Sequence, residues 1–446
     1  MTALNFEYSK INIIKKLLHR PKSRKIPIDP KNIVSRGKHG LVKQHINPNA
    51  TTVVKRLTDA GYEAYLVGGC VRDLLIQRSP KDFDVSTNAT PQQIKKLFRQ
   101  ARIIGRRFKL VHIPFHREII EVATFRAHEP VHSNFQTNDR GMLIEDNVYG
   151  SLEQDAWRRD FSINSLYYHV SDESIVDFTR GFEDIQQKLI RIIGDPITRY
   201  HEDPVRMLRA IRFSAKLQFD IVPETAAPIQ ELSHLIAHVS SSRLFDEIIK
   251  LYHCGQASAV QPLLEQYGLF QELFPFTAAL NESPYPVHEL LRLALESTDH
   301  RIHIKKPVNP AFLFAILLWF PVQMRTKLLC DAGADPMPAF EQAISQVLSE
   351  QNKIITIPKK LTQIIREIWL LQLNFEKRSG HQAYDLLHHS RFRAAYDFLA
   401  LRALAEDESL DLAKWWTTFQ EVDAEKQHAM VKACNSKVRT SKRPTE

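Results

Sequence analysis

Cysteine is scarce in this chain of 446 residues: Cys70, Cys254, Cys330 and Cys434 lie far apart, and no CxxC pair occurs. That spacing argues against a structural zinc site and a disulfide scaffold, and it fits a reducing cytosol. Long apolar runs are also missing. The longest, "AFLFAILLWF" at 311–320, is about half of what a bilayer span requires, so it reads as a buried helix and not as a transmembrane segment. Near the N-terminus a short "INII" stands between lysines without the apolar core and small residues of a signal peptide. No internal repeat or low-complexity tract is present, and the 19 histidines form no HxxxH pair on a convincing helix. Acid is in mild deficit, with 51 Asp and Glu against 60 Lys and Arg, a net charge of +9. Such an excess suits a polyanionic partner, although many basic proteins bind no nucleic acid.

A chain of this length exceeds what one growing core supports, so two to four domains are expected. Residues 1–48 are rich in Lys and Arg ("KKLLHRPKSRKIP", "SRGKHGLVKQH") and carry no long periodic apolar face. They read as an extended basic arm, either a solvated tail or a segment that contacts RNA or tethers the chain to a surface. From residue 51 the pattern is mixed: "TTVVKRLTDAG" has helical spacing, "YEAYLVGG" reads as a strand, "CVRDLLIQR" as a helix and "DFDVST" as a strand. In "TPQQIKKLFRQA", Thr90 is placed to cap a helix with Pro91 at its first position. "RIIGRRFKLVHIPF" and "EIIEVATF" alternate like paired strands around "HR" at 116 and 117, and this α/β domain ends near 195. Beyond "GDPITRYHEDP" strands nearly vanish. "PVRMLRAIRFSAKL", "SSSRLFDEIIKLYHC", "VQPLLEQYGLFQELFP", "VHELLRLALEST", "IIREIWLLQLNF" and "FRAAYDFLALRALAE" are apolar at helical spacing, so the second half is expected to be all α.

Candidate chemistry concentrates in the α/β part. Gly68 and Gly69 leave a strand and enter a helix, where backbone can approach a ligand and free N–H groups favour an anion such as phosphate; a tight structural turn explains the pair equally well. Arg72, one turn on, can reach the same anion, and Asp73 can hold the loop or a cation. Asp82 and Asp84 stand at i and i+2, so on a strand both side chains leave one face about 7 Å apart along it. Two such carboxylates can share divalent ions, magnesium above all, although solvated loop acids are the common alternative. For a third carboxylate there are two candidates. Glu121, among apolar neighbours on a predicted strand, is costly to bury unpaired; Asp160 lies beside Arg158 and Arg159 and can equally be a surface ion pair. In "HEDPVRMLRAIRF", Asp203 and Arg206 are adjacent on a helix with Arg209 one turn further, either a local salt bridge or a reader of a nucleobase edge. His112 and His116 flank a proline and read as structural or RNA-facing.

These blocks in this order resemble the nucleotidyltransferase branch that holds class II CCA-adding enzymes and bacterial poly(A) polymerases. The likeness covers residues 48–275: "LVGGCVRDLL", "KDFDVSTNATP", "EVATFR", "RRDFSINSLYY", "DFTRGFEDIQQKLIRIIGDP", "EDPVRMLRAIRFSAKL" and "SSRLFDEIIKL". "IIGRRFKLVHI" at 103–113, the basic arm, the "FRAAYDFLALRA" and "AKWWTTFQ" region and the basic tail are similar to the poly(A) polymerase side of the branch. Cys70 departs from the usual Gly or Ala, and Gln77 from a common glycine; neither removes a proposed ligand.

The resemblance implies an α/β nucleotidyltransferase head of the polymerase β type followed by an all-α C-terminal half. Its parts would be a basic arm (1–48), head (49–195), helical neck for base recognition and RNA binding (196–280), helical C-terminal domain (281–430) and basic tail (431–446). It implies that Asp82 and Asp84 hold two Mg2+ ions, that Asp160 is a further active-site acid, and that Gly68, Gly69 and Arg72 cradle the triphosphate. Arg159 and Asn164 would touch triphosphate or sugar, and Asp203, Arg206 and Arg209 would bind the nucleotide, the first two reading its base. Glu121 remains a supporting candidate on geometry. The implied activity is transfer of AMP from ATP to RNA 3′ ends in the cytoplasm of a bacterium, by a monomer with RNA-decay machinery among its partners; RNA tracked by phosphate contacts would bind less tightly as salt rises. The rivals are a CCA-adding enzyme with the same head and a catalytically silent RNA-binding module.

Overall fold

A computed structural model describes residues 28–105, 109–116, 118–127, 136–137, 143–145 and 148–441. The chain forms two compact units: one runs through Asp203 and takes in Phe219–Ala226, the other comprises Pro204–Gln218 and Ala227 onward.

The first unit is organised by an eight-stranded sheet. Its strands in chain order are β1 (Ile33–Val34), β2 (Ala64–Val67), β3 (Asp84–Thr87), β4 (Arg102–Ile104), β5 (Leu110–Phe115) and β6 (Glu118–Thr124). A two-stranded ribbon, β7 (Gln136–Thr137) and β8 (Leu143–Glu145), precedes β9 (Leu166–Tyr168) and β10 (Ile175–Asp177). The spatial order is β1-β10-β9-β2-β3-β6-β5-β4, antiparallel throughout except where β3 runs parallel to β6. All four residues of β2 are buried, as a strand covered on both faces requires.

Helix α1 (Pro48–Asp59) packs on β2 and β3 with Ala50, Val53, Val54 and Leu57 as its buried stripe; Asn47 caps it by accepting from the N–H groups of Asn49 and Ala50. Helix α2 (Gly69–Leu75) follows β2 directly. Helix α3 (Pro91–Leu97) starts as its sequence predicts, with Thr90 and Gln93 capping each other's backbone. Helix α4 (Leu152–Trp157), a 3-10 turn at Ser162–Asn164, α5 (Gly181–Gln187) and α6 (Pro196–Glu202) complete the unit, with a short parallel pair of β11 (Leu189–Ile190) and β12 (Asp220–Ile221).

Two local expectations change. Ile33–Val34, inside the segment read as an extended arm, adds an edge strand to β10, and Leu41 and Ile46 are buried; a two-residue strand is too short to leave a periodic signal. Residues 1–27 lie outside the described residues. Strand β3 begins at Asp84, so Asp82 stands two residues ahead of the strand. Gln77, where glycine is common among similar sequences, has φ of 57°, the left-handed region that glycine enters most easily.

The second unit is helical among its described residues, beginning with α7 (Val205–Leu217). The expected "AFLFAILLWF" helix is buried, but it breaks at Leu318 into Pro310–Leu317 and Trp319–Asp331, bent by 46°. Residues 313–322 are all buried. No single described helix is long and apolar enough to cross a membrane. "VQPLLEQYGLFQELFP" likewise divides, at Gly268, whose φ is 69°. Indole N–H groups are satisfied inside: Trp369 donates to the Ala315 carbonyl at 3.1 Å and Trp416 to that of Phe375 at 2.9 Å. The helix Ala424–Ser441 carries the chain through most of the expected basic tail; residues 442–446 lie outside the described set.

Gly181 fixes α5 against the 3-10 turn. A Cβ there would lie 2.1 Å from the Ser162 carbonyl oxygen, while the Asp177 carboxylate caps the helix by accepting from the Gly181 and Phe182 N–H groups. Gly181→Ala should therefore destabilise by about 1–3 kcal/mol and lower Tm by several degrees. An unchanged thermal melt would show that the backbone yields there.

Candidate active site

Asp84 is the first residue of β3 and pairs with two neighbours at once: Val67, the last residue of β2, and Glu121 on parallel β6. The register sets the Glu121 and Asp84 side chains on one face, and Glu121 Oε1 accepts from His112 Nε2 of the partner strand β5 at 3.0 Å. Asp82 stands ahead of the strand and is exposed, close enough for its charge to act on Asp84. Burial pushes the Asp84 carboxyl up to about 6, helped by the negative charge of Glu121 and Asp82 and opposed by Arg159.

The glycine turn lies beside this acidic group. Gly68, with φ of 78°, ends β2 and its N–H donates to the Leu166 carbonyl at 3.3 Å. A Cβ on Gly68 would rest 3.6 Å from Arg159 Nη1, and one on Gly69 3.5 Å from Arg72 Nη2. Those are ordinary contacts, so the left-handed φ, and not crowding by the protein, calls for glycine at 68.

Arg72 is buried and committed on two sides: Nη1 donates to Asn164 Oδ1 at 2.5 Å, and Nε and Nη2 donate to Asp73 Oδ1 at 2.9 and 2.6 Å. Asp73 thus holds Arg72, in keeping with the loop-holding alternative read for it. Asn164 Nδ2 in turn donates to Asp160 Oδ1 at 3.2 Å, and the same oxygen accepts from the Phe161 N–H at 2.8 Å. Asp160 shapes the 3-10 turn that presents Asn164.

Two residues not singled out from sequence anchor the arginines. Asp155, 1% exposed, accepts from Arg158 Nε at 3.0 Å, Arg159 Nη2 at 3.1 Å, the Tyr167 hydroxyl at 2.8 Å and the Arg126 N–H at 3.2 Å. Burial alone would raise its carboxyl; Arg159 and Arg158 foremost, with Tyr167 and Arg126, bring it down to about 2. The i+3 and i+4 spacing in "DAWRRD" is the signal that marks it. Arg199, on α6, donates Nη2 to the carbonyls of Arg158 and Arg159 at 2.6 and 2.7 Å and pairs through Nη1 with Glu202; no sequence pattern announces that bond. Cys70 beside the turn is inert, its thiol donating to the Val67 carbonyl at 3.3 Å and pushed by burial up to about 12.

Asp203 closes the first unit, its N–H donating to the Arg199 carbonyl at 3.2 Å. Arg206 and Arg209 lie on α7 of the second unit, Arg209 with its guanidinium 5.5 Å from the Phe213 ring centre. A cavity of about 900 Å3 lies elsewhere: Tyr65, Asn88, Phe125, Trp157 and His169 line it at the far ends of β2 and β3.

No three His, Cys, Asp or Glu side chains among the described residues gather closely enough to hold a metal by themselves. Asp82 and Asp84 still fit magnesium, which dehydrates reluctantly and takes one or two carboxylates together with water and substrate phosphate. Burial lifts Asp84 first and the negative charge of Glu121 and Asp82 adds to it; that added charge is what such a cation would relieve.

Because the folded-state value of Asp84 exceeds the ordinary 3.8, the folded chain holds this proton more tightly than the unfolded one. The contribution favours folding below about pH 4 and is lost as pH rises through 6. In metal-free buffer Asp84→Asn should be more stable than the parent at pH 7.5, by at most about 3 kcal/mol, and about equal to it near pH 4. Thermal melts at both pH values check this; an offset independent of pH would contradict it.

Residues 64–191 match the poly A polymerase head domain, 218–280 the probable RNA and SrmB-binding site of polymerase A, and 332–446 the polymerase A arginine-rich C-terminus. The chain is 47% identical to poly(A) polymerase I of Salmonella typhimurium over 421 residues, covering 92% of this chain and 90% of that one. It is 44% identical to poly(A) polymerase I of Haemophilus influenzae, covering 90% of each. The CCA-adding enzyme of Lactobacillus gasseri is 38% identical over 225 residues, 50% of this chain and 54% of that one. In fold it is similar to the CCA-adding enzyme of Thermotoga maritima solved with tRNA, with a TM-score of 0.61 at 18% identity over 87% of this chain and 86% of that one. The chain belongs to the poly(A) polymerase family and is a nucleotidyltransferase.

Proposed function

We propose that the RNA polyadenylation this family membership entails runs on Asp82 and Asp84, with AMP transferred from ATP to an RNA 3′ end and pyrophosphate released. The observation that carries this reading is the register of β3: it sets Asp84 against Glu121 with Asp82 two residues ahead, beside a glycine turn and Arg159. Asp82 and Asp84 would hold magnesium, with Glu121 as a supporting carboxylate and Asp160 as the further acid. When bound, the metal supplies acidity to the RNA 3′-hydroxyl and charge to the departing pyrophosphate.

The protein residues bind and orient. Gly68 and Gly69 let the triphosphate approach the backbone at the start of α2, a helix whose first N–H groups are free to receive it. Arg72, Arg159 and Asn164 donate toward triphosphate or sugar. Asp203 and Arg206 read the adenine edge, and Arg209 supports the nucleotide site, since no template strand selects the base. The basic surface tracks RNA by phosphate contacts, and RNA-decay proteins are its expected partners in the bacterial cytoplasm, with the chain acting as a monomer.

The half-length match to a CCA-adding enzyme supports a second reading with the same chemistry. Primer extension on an unstructured RNA and on a tRNA lacking its 3′ end, with ATP, CTP or both, separates them: long tails from ATP alone support polyadenylation. Addition confined to C, C and A on the tRNA overturns it. In the same assay Asp82→Ala should lower turnover by at least about a thousandfold, the scale of losing metal-assisted stabilisation, while RNA affinity stays within about twofold. Undiminished tailing by that variant would remove Asp82 from the chemistry.

A further inference from the structure

Arg159 is oriented before any substrate arrives. Its Nε donates to the Tyr167 hydroxyl at 2.8 Å and its Nη2 to Asp155 Oδ2 at 3.1 Å, and that hydroxyl donates to the same Oδ2 at 2.8 Å. The three side chains close a ring of hydrogen bonds along one edge of the guanidinium. The other nitrogen, Nη1, makes only a long donation of 3.5 Å to the Asn164 carbonyl and lies next to the Gly68 turn. Tyr167 is fully buried, and Asp155 is 1% exposed. Burial holds the Tyr167 phenol far above its ordinary range, with Asp155 reinforcing and Arg159 opposing, so the hydroxyl stays a donor to the carboxylate and an acceptor from the arginine.

The ring is supported from behind. Asp155 Oδ1 is bonded by the Arg126 N–H and Arg158 Nε, and Ser86 Oγ of β3 lies 3.4 Å from Oδ2. Arg199 grips the carbonyls of Arg158 and Arg159. Backbone and side chain of Arg159 are therefore fixed independently. A free arginine side chain would lose its rotamer freedom each time it met a phosphate; one already locked loses little.

We infer that Asp155 and Tyr167 are positioning residues for triphosphate binding, locking Arg159 so that its Nη1 faces the Gly68 turn. The inference rests on the reading of Arg159 as a triphosphate contact. Neither residue touches the ligand; both act through Arg159, which makes their contribution separable from a general packing role.

The test uses the full chain, with kcat and KM for ATP measured on a short RNA primer and binding of inorganic tripolyphosphate measured by calorimetry. The variants are Arg159→Ala, Tyr167→Phe, Asp155→Asn and the double variant of the first two, each with a thermal melt. Tyr167→Phe should raise the ATP KM and the tripolyphosphate Kd about tenfold, the size of one charge-assisted hydrogen bond, with kcat within about twofold and Tm little changed. Asp155→Asn should lose more; if it fails to fold, Tyr167→Phe still decides. In the Arg159→Ala background, Tyr167→Phe should add nothing. Losses that multiply in the double variant, or a Tyr167→Phe effect on Tm without one on KM, overturn the positioning role. If Arg159→Ala alone leaves KM and Kd unchanged, the assignment of Arg159 to the triphosphate falls first, and that outcome is visible in the single variant.

Discussion

The one parallel pair in the sheet, β3 beside β6, is the constraint on which the site depends. It brings the first residue of β3 level with the middle of β6, so Asp84 faces Glu121. Side chains alternate along strands, and a slip of one residue would turn Glu121 to the other face and leave Asp84 opposite an apolar neighbour. The register is pinned apolarly by Val85 and Val122, both fully buried, and by hydrogen bonds from the Phe125 N–H to the Thr87 carbonyl at 2.7 Å and from the Thr124 hydroxyl to the Ala89 carbonyl at 2.7 Å. Packing at one end of the strands thereby holds like charges together at the other.

A half-buried acidic cluster needs cationic neighbours that do not neutralise it outright. Arg159 meets that need by being committed elsewhere: its bonds to Asp155 and Tyr167 spend one edge of the guanidinium, so it tempers Asp84 without forming a closed ion pair with it. Arg72 is handled the same way through Asp73 and Asn164. Asp73 and Asp155 thus keep the arginines in place. Were the arginines unanchored, collapse onto Asp84 would be the lower-energy arrangement, and the positive edge facing the glycine turn would be lost.

Much of this was legible in the sequence because it is local. The Thr90 cap, the stripe of α1, the glycine turn and the aspartate pair each fall within a few residues, where periodicity and turn chemistry speak directly. Glu121 was found by its awkwardness, an acid in an apolar strand. Asp155 carries a readable i+3 and i+4 signal, just ahead of the block "RRDFSINSLYY". The bonds of Arg199 to the Arg158 and Arg159 carbonyls join residues about 40 apart in the chain, and those of Tyr167 depend on β9 lying next to β2. No spacing rule reaches such contacts; they exist only once the sheet order does. The edge strand β1 failed for the opposite reason, being too short to show any period at all.

Gln77 shows how a departure from a common pattern can be absorbed. It holds the left-handed position after α2, where the Arg78 N–H donates to the Asp73 carbonyl at 2.8 Å and so closes the helix end. Glycine would adopt this φ freely, whereas glutamine does so at a cost of about 1 kcal/mol. The turn nevertheless forms, because α2 is also held by the buried Arg72 bonds and by the Cys70 thiol donating to the Val67 carbonyl. The loop that leaves Gln77 leads within a few residues to Asp82. The cost at residue 77 is therefore borne by contacts that belong to the site itself, and a chain with a weakened Arg72 network would feel the missing glycine more than this one does.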